Sequence, residues 1–406
     1  MTARERVLKA LNHEEPDRIP KDLGATNVTG INCIAYDKLL KFLGLREEIE
    51  IVDAIQGLAR VSPAVKQRLG IDTYGLWPRG SLRAIKEKGN TPEGDEFFID
   101  EWGFYWLKPK GSLYFDVWKN PLRDIDPRTF DLDSYDWPDP GDIARLDGLR
   151  EEAQRTRAET DLAIVLGETL DFFLFCCWLR GFDNFMMDLY LNPDFARQLL
   201  ARVNQIQMVR VENMLRNVGD LVDVVGVIGD DWGMQDRLYV SQGLFQEVFR
   251  PGIEDMVTMI RKYTDAPIFA HSCGAIDPLI AQFIEIGFDV LNPVQTSATG
   301  MSNTAELKRK YGHHLTFWGG GVDTQRVLNR GSLADIEQEV HKRIVDLAPG
   351  GGFVFCPVHN IQADVPPENI VHAYELAERW GRYPIALAGE RQGNPLLHPF
   401  GNRERG

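Results

Sequence analysis

Leu221-Val-Asp-Val-Val-Gly-Val-Ile-Gly-Asp-Asp231, a helical pattern over Ser241–Tyr263, and then Ala266-Pro-Ile-Phe-Ala-His-Ser-Cys-Gly274 form the stretch that decides the fold. Each apolar run is short and rich in β-branched residues, so it reads as a strand covered on both faces. Each run stops at polar or glycine residues, and a helical period follows. Two such strands joined by a helix make a unit whose sheet is parallel.

The unit recurs on both sides of this stretch. Upstream, Asp161-Leu-Ala-Ile-Val-Leu-Gly167 ends at Glu168 and leads into helical stretches at Phe182–Tyr190 and Asn192–Met214. Downstream, the helix Asp277–Ile286 precedes Asp289-Val-Leu291, which ends at Asn292-Pro293. Leu315-Thr-Phe-Trp318 ends at Gly319-Gly-Gly321 and Asp323, and the helix Ser332–Leu347 follows. Phe353-Val-Phe355 ends at Cys356, and Pro367–Trp380 reads as a last helix with Glu368 in its first turn. Such a succession, with no dinucleotide glycine fingerprint after its first strand, predicts an α/β fold: a single (β/α)8 TIM barrel rather than a doubly wound sheet. Arg18-Ile-Pro-Lys-Asp-Leu-Gly24 and a run near Tyr74-Gly-Leu-Trp77 are the sources of the two remaining strands.

The 406 residues suit one large barrel with insertions or two ordinary domains. A hydrophobic content of 44% and a charged content of 26% are those of a soluble globular protein. A net charge of −15 with no offsetting Lys/Arg run argues against a nucleic-acid surface. No stretch reaches the ~18 uninterrupted apolar residues of a membrane span. The opening MTARERVLKALNHEEPDRIP is a charged helix and then a proline, without the apolar segment of a signal peptide. Five cysteines, thinly spread, make a poor disulfide framework and fit a reducing, cytoplasmic setting.

Residues 77–141 interrupt the alternation and hold Trp102, Tyr105, Trp106, Tyr114, Phe115, Trp118 and Trp137. They read as an insertion, either packed on the barrel or forming a lid or substrate wall. The barrel is expected to span residues 1–383, with 384–406 as a tail.

Strand ends on the C-terminal face of a barrel carry its chemistry. The polar strand ends here are Glu168, Asp230, Asp231, His271, Cys273, Asn292, Asp323 and Cys356. Residues two apart in an extended segment point the same way, so His271 and Cys273 can share a metal, and a barrel returns Cys356 to the same rim. Two thiols and an imidazole suit zinc, and three protein ligands with one open position mark a catalytic site. The plain alternative is that each cysteine is a small buried hydrophobe, the reading given to Cys33, Cys176 and Cys177. Glu168, Asp230 and Asp231 are the candidate catalytic carboxylates, and one of them is a candidate fourth, displaceable ligand. Asn292, Gln295, Asp323 and His359 are candidate substrate contacts.

The same residues carry a family resemblance. Ala270-His-Ser-Cys-Gly274, Gly350-Gly-Gly-Phe-Val-Phe-Cys356 and Val365-Pro-Pro-Glu-Asn-Ile370 resemble the uroporphyrinogen decarboxylase superfamily. Arg6-Val-Leu-Lys-Ala-Leu-Asn-His13 with Asp17-Arg-Ile-Pro20, and Asp230-Asp-Trp-Gly233 with Phe249-Arg-Pro251, are similar to it as well. Within it the chain looks like the corrinoid-linked methyltransferases, whose zinc motif is His-x-Cys with a distant Cys. The resemblance implies transfer of a methyl group to or from a cobalamin carried by a corrinoid-binding partner protein, with dimerisation a family habit. The true decarboxylases carry an Arg-Gln-Ala-Gly-Arg segment that grips porphyrin carboxylates. Here Lys21-Asp-Leu-Gly-Ala-Thr-Asn27 stands in its place, without the arginine pair. No cobalamin-binding Asp-x-His-x-x-Gly segment occurs in the chain, which puts the corrinoid on another protein.

The expected substrate is a methoxylated aromatic, a methanol-like donor or a thiol acceptor, the aromatic insertion favouring the first. The alternatives are a cofactor-free decarboxylase or lyase using Asp230 or Asp231 as an acid, and a non-catalytic corrinoid-binding protein.

Overall fold

The computed structural model describes residues 1–78, 85–112, 114–167 and 170–385. Its strands are β1 (Ile51–Asp53), β2 (Leu58–Ala59), β3 (Thr73–Leu76), β4 (Ile85–Asn90), β5 (Glu96–Asp100), β6 (Tyr105–Lys108), β7 (Asp116–Lys119), β8 (Ala163–Leu166), β9 (Val224–Gly229), β10 (Ile268–His271), β11 (Val290–Asn292), β12 (Thr316–Trp318) and β13 (Phe353–Val354). Seven of them form one parallel sheet in the order β13-β12-β11-β10-β9-β8-β3. From β8 onward the order along the sheet is the order along the chain, as successive right-handed crossovers require.

The amino-terminal segment meets both edges of this sheet. Phe355, next to β13, donates its N–H to the Pro20 carbonyl at 2.8 Å, and Asp22 N–H donates to the Phe355 carbonyl at 2.9 Å. Asp72, just before β3, donates its N–H to the Lys21 carbonyl at 2.8 Å. The run near Tyr74 is thus a strand of the sheet, and the Pro20–Asp22 segment bonds beside β13 and β3 without being one of its strands.

Successive residues of a strand face opposite sides, and two cores result. Ala163, Val165, Val224, Phe269, Val290, Trp318, Val354 and Cys356 pack together with Val7 and Leu11 of the first helix. Ile164, Leu166, Val225, Ile268, Ala270, Leu291, Phe317 and Phe353 pack against the surrounding helices. His271 continues the parity of Phe269, Asn292 that of Val290, and Cys356 that of Val354, so these polar ends belong to the inner set.

The helices follow the sequence pattern closely. Ala3–Leu11 begins with a reciprocal Thr2–Glu5 capping box, and Leu333–Leu347 with a Ser332–Asp335 one. The expected helix Ser241–Tyr263 is instead the run Gln242–Leu244, a wider turn at Phe245–Phe249, and Arg250–Ile260. Pro251 lacks the N–H that would bond back into the preceding turn, which loosens the helix there.

The stretch 77–141 holds a second sheet, antiparallel in the order β4-β5-β6-β7. Several of its aromatics pack against the rest of the chain, while Trp118 is 63% exposed. Trp102 and Phe104 lie edge-on to Phe175 at 4.4 and 5.5 Å, and Trp106 lies edge-on to Trp178 at 6.5 Å. Trp102, Phe104 and Trp106 are buried, pinning the sheet to the helix Phe173–Arg180. These three rings are structural mortar. Among the described residues no helix is long and apolar enough to cross a membrane.

Candidate functional site

Asp231, His271 and Cys273 offer ligand atoms that lie within 4.8 Å of one another. His271 is the last residue of β10, and its Nε2 stands 3.6 Å from Cys273 Sγ and 3.4 Å from Asp231 Oδ1. Its Nδ1 lies 2.6 Å from Asn292 Oδ1 on the neighbouring strand. Cys273 N–H donates to Asp231 Oδ1 at 2.7 Å, which draws the two loops together.

Two glycines make that approach possible. Gly274 has φ +94°, and a Cβ there would run into the Gly233 carbonyl; a Cβ on Gly233 would collide with Gly274 in turn. Only hydrogen-sized side chains let the Asp231 loop lie against the Cys273 loop. Trp232 N–H donates to Ser272 Oγ at 3.0 Å, and Gly274 N–H donates to Gln295 Oε1 at 2.6 Å. Trp232 stacks on Phe173 at 5.0 Å, giving one side of the site an apolar backing.

The adjacent aspartates, equivalent in the sequence reading, have separate surroundings. Asp230 is 3% exposed and accepts three backbone N–H groups, those of Phe172 (2.9 Å), Phe173 (3.0 Å) and Leu174 (2.9 Å). It therefore caps the helix Phe173–Arg180, although burial pushes its carboxyl up to about 7 against the pull of those donors. The Asp231 side chain is 36% exposed and faces the imidazole. Burial works to raise its carboxyl, but His271, the Cys273 N–H and His359 together hold it below the usual range.

Three of the four expected substrate contacts have structural partners. Asn292 is fully buried, with Nδ2 donating to the Trp318 carbonyl at 2.7 Å. Gln295 supports the Cys273 loop, and Asp323 accepts the Gln325 N–H at 2.7 Å within its own turn. His359 is different. Its ring centre lies 6.4 Å from that of His271, and burial, with His271 adding to it, pushes its imidazole down to about 4. The group is a neutral imidazole beside the cluster.

Cys356 is not gathered into the group with His271 and Cys273. Its side chain is fully buried in the inner core, and a Cβ placed on Gly319 would lie 3.3 Å from its Sγ and 3.1 Å from Asn292 Nδ2. The thiol and the amide that holds His271 thus both border Gly319. Asp231 takes the place in the cluster that the sequence reading gave to Cys356, because the Gly233–Gly274 contact brings its loop over Cys273. Cys176 and Cys177 are buried in the helix Phe173–Arg180, where apolar packing was expected. Glu168 lies outside the described residues.

Two residues were missed. Burial and the charges of Asp230 and Asp231 push the Asp171 carboxyl well above the usual range. The chain beside it bridges Leu170 to Ile228, which sets Asp171 on the rim alongside Asp230. A lone acid in an apolar run just beyond a strand end was the available signal. Tyr239 bonds through its N–H to the Trp232 carbonyl at 2.9 Å and packs edge-on against Phe182 at 5.3 Å. Burial raises its phenol, and the charges of Asp231, Cys177 and Cys273 add to this, which places the ring at the cluster's edge.

A carboxylate, an imidazole nitrogen and a thiol converge at strand ends, partly open to solvent. That donor set fits zinc, and none of the three is fixed to a lysine or arginine among the described residues.

The family model described as uroporphyrinogen decarboxylase (URO-D) matches residues 118–380. Among solved structures, a methyltransferase from Methanosarcina mazei superposes with a TM-score of 0.63 at 16% identity, covering 93% of this chain and 99% of that one. At that identity the likeness is one of fold. A GH113 β-1,4-mannanase (TM-score 0.38, 10% identity, 88% and 98% covered) and an Ignisphaera aggregans GH53 catalytic domain (0.36, 11%, 89% and 96%) overlap too loosely to bear on the site. No curated protein matches the chain in sequence.

Proposed function

The chain belongs to the uroporphyrinogen decarboxylase family, and within it we propose a zinc-dependent methyltransferase that moves a methyl group between a small substrate and a corrinoid cofactor on a partner protein. The observation that carries this reading is the Asp231–His271–Cys273 group. Support comes also from the fold shared with the Methanosarcina mazei methyltransferase. On this reading the Pro20–Asp22 segment is the eighth stave that closes the barrel. Residues 1–383 then form one catalytic unit, 77–141 an insertion in it and 384–406 a tail.

His271, Cys273 and Asp231 would hold the zinc, with Cys356 the alternative third protein ligand. When bound, the metal supplies a Lewis acid that lowers the pKa of a thiol or polarises the oxygen of a methanol-like or methyl-ether donor. The corrinoid, when its carrier docks, supplies the cobalt that exchanges the methyl group. The chain's own residues do the positioning. Asn292 fixes His271 through Nδ1, and Trp232 on Phe173 excludes water from one side. The neutral His359 imidazole offers a hydrogen bond to a substrate heteroatom. A polycarboxylated porphyrin is disfavoured, because Asp171, Asp230 and Asp231 stand together at this rim.

Metal content of protein purified without chelators tests the proposal. About one zinc per chain, lost in Cys273→Ala, is the expected result. Cys356→Ala then separates the two ligand sets: retained zinc identifies Asp231 as the third ligand, and loss identifies Cys356. Absence of zinc after reconstitution overturns the proposal and moves the cofactor-free decarboxylase or lyase to first place. With zinc established, methyl transfer to free cob(I)alamin from methoxylated, methanol-like and thioether donors identifies the substrate class.

A further inference from the structure

Asn292 joins two groups of different chemistry. On one side is the Trp318 carbonyl, 2.7 Å from the amide nitrogen; on the other is His271 Nδ1, 2.6 Å from the amide oxygen. A carbonyl oxygen can only accept, so the end of the amide that faces Trp318 must be the NH2. The end that faces His271 is therefore the oxygen, which also only accepts. The proton between Asn292 and His271 Nδ1 then belongs to the imidazole, and the orientation of the amide is fixed by chemistry rather than by a choice of its flip.

The chain of bonds continues. Trp318 Nε1–H donates to Asp22 Oδ2 at 2.8 Å, and Thr73 Oγ1–H donates to Asp22 Oδ1 at 2.7 Å. Asp22 also accepts the Ala25 N–H at 3.1 Å, while Tyr374 O–H donates to the Asp22 carbonyl at 2.7 Å. Asn292, Trp318, Asp22 and Thr73 are all buried. They come from β11, β12, the Pro20–Asp22 segment and β3, so a polar belt crosses the inner face of the sheet from the imidazole to the opposite edge strand.

We infer that this belt, with Asn292 as its end member, locks His271 in the Nδ1–H tautomer and so reserves the Nε2 lone pair for a ligand shared with Cys273 and Asp231. Asn292 is a positioning residue, not a substrate contact, and the inference rests on the metal-site reading only for the identity of that ligand. An outer partner of this kind fixes ring orientation and raises the basicity of the ligating nitrogen.

The test uses the full-length, metal-free protein with 15N-labelled histidine, followed over a pH series by two-bond nitrogen–proton correlation. The neutral form of His271, assigned by its loss in His271→Gln, is expected to show a protonated Nδ1 and a pyridine-like Nε2. Asn292→Leu is expected to release the preference to a mixture of tautomers, whereas Asn292→Asp, which still accepts, retains it. Zinc affinity, measured by chelator competition, is expected to fall about 10–100-fold in Asn292→Leu and to recover in Asn292→Asp. Trp318→Phe, which cuts the belt one link further out, gives a smaller fall in affinity. A wild-type His271 protonated on Nε2 overturns the inference, as does an Asn292→Leu variant with an unchanged tautomer. Correct tautomers in a protein that binds no metal uphold the belt and sink the zinc reading instead, so the two failures are distinct.

Discussion

Two groups of carboxylates in the same parallel wall have opposite surroundings. At the entry to β3, Asp72 meets Arg6 at 2.7 Å and Arg18 at 2.7 Å, and accepts the Lys21 N–H at 2.8 Å. Arg18 reaches on to Glu378 of the helix Pro367–Trp380 at 2.9 Å, so the network ties that helix and the amino-terminal segment to the sheet edge. At the exits of β8 and β9, Asp171, Asp230 and Asp231 stand together, and no lysine or arginine among the described residues is paired with them. The first group supplies its own cations. The second has a helix terminus for one member, an imidazole for another and no fixed counter-charge for the third. In parallel α/β walls the strand entries carry stability and the exits carry chemistry, and here the division is written in charge balance.

The largest effect is expected from breaking the balanced group. Asp72→Ala leaves Arg6 and Arg18 buried without their shared acceptor, and loss of one member of such a network costs about 3–5 kcal/mol. Urea unfolding should show this, while zinc binding per folded chain at low temperature stays unchanged. A loss of less than about 1 kcal/mol would make the network an ornament of the surface.

Next comes completion of the unbalanced group. If a divalent cation is what the exit carboxylates await, zinc at a hundredfold excess over Kd adds about 2.7 kcal/mol to stability by mass action. Burial and the Asp231 charge push the free Cys273 thiol well above its ordinary value, and ligation would discharge both penalties. The Asp231→Asn, Cys273→Ala double variant should lose the whole increment. An equal increment in that variant would place zinc elsewhere on the chain.

A smaller effect of opposite sign comes from Asp171. In the metal-free protein Asp171→Asn removes a buried acid held against two like neighbours, and should stabilise by about 0.5–2 kcal/mol, the usual range for relieving a functional strain. In zinc-loaded protein the gain should shrink. Destabilisation of the metal-free protein instead would mean that Asp171 has a structural role, and the contrast with Asp72 would fail.

The balanced and unbalanced groups were unequally legible in the sequence. Strand exits are marked by apolar runs that stop at a polar residue, so Asp230, Asp231, His271 and Cys273 could be read directly. Which of two adjacent aspartates faces the site could not, because Asp230 is claimed by the helix Phe173–Arg180, an event of tertiary packing. Asp171 shows in the sequence only as a lone acid in an apolar segment, since its neighbours come from β9. Cys356 has the spacing of a ligand, yet its sulfur borders Gly319, as the Asn292 amide does, a placement no one-dimensional pattern encodes. The sheet β4–β7 was missed as strands for a different reason. Ile85–Asn90 and Asp116–Lys119 are largely solvated, so they lack the apolar alternation that a half-buried strand prints in its sequence.

Lys308 is the mirror image of the exit carboxylates, a cation with no partner of opposite charge among the described residues. Its Nζ donates to the Gly351 carbonyl at 2.5 Å, and burial pushes its pKa down to about 8. The sign of the pH effect follows. The unfolded chain keeps this proton up to about 10.4, while the folded chain releases it near 8. Between those values the unfolded state binds more protons, so this lysine makes stability rise with pH. Below about 8 both states are charged and its contribution is flat. The Lys308 side chain is partly open to water, which makes this the smallest of the expected effects. Subtracting the urea midpoints of Lys308→Met from those of the parent between pH 7 and 10 isolates the group from every other titration. A difference that climbs with pH would establish that this fold buries a lone cation at a cost. A difference that stays level would mean the Gly351 carbonyl compensates Lys308 fully, and the absence of a counter-charge would then no longer distinguish a strained site from a settled one.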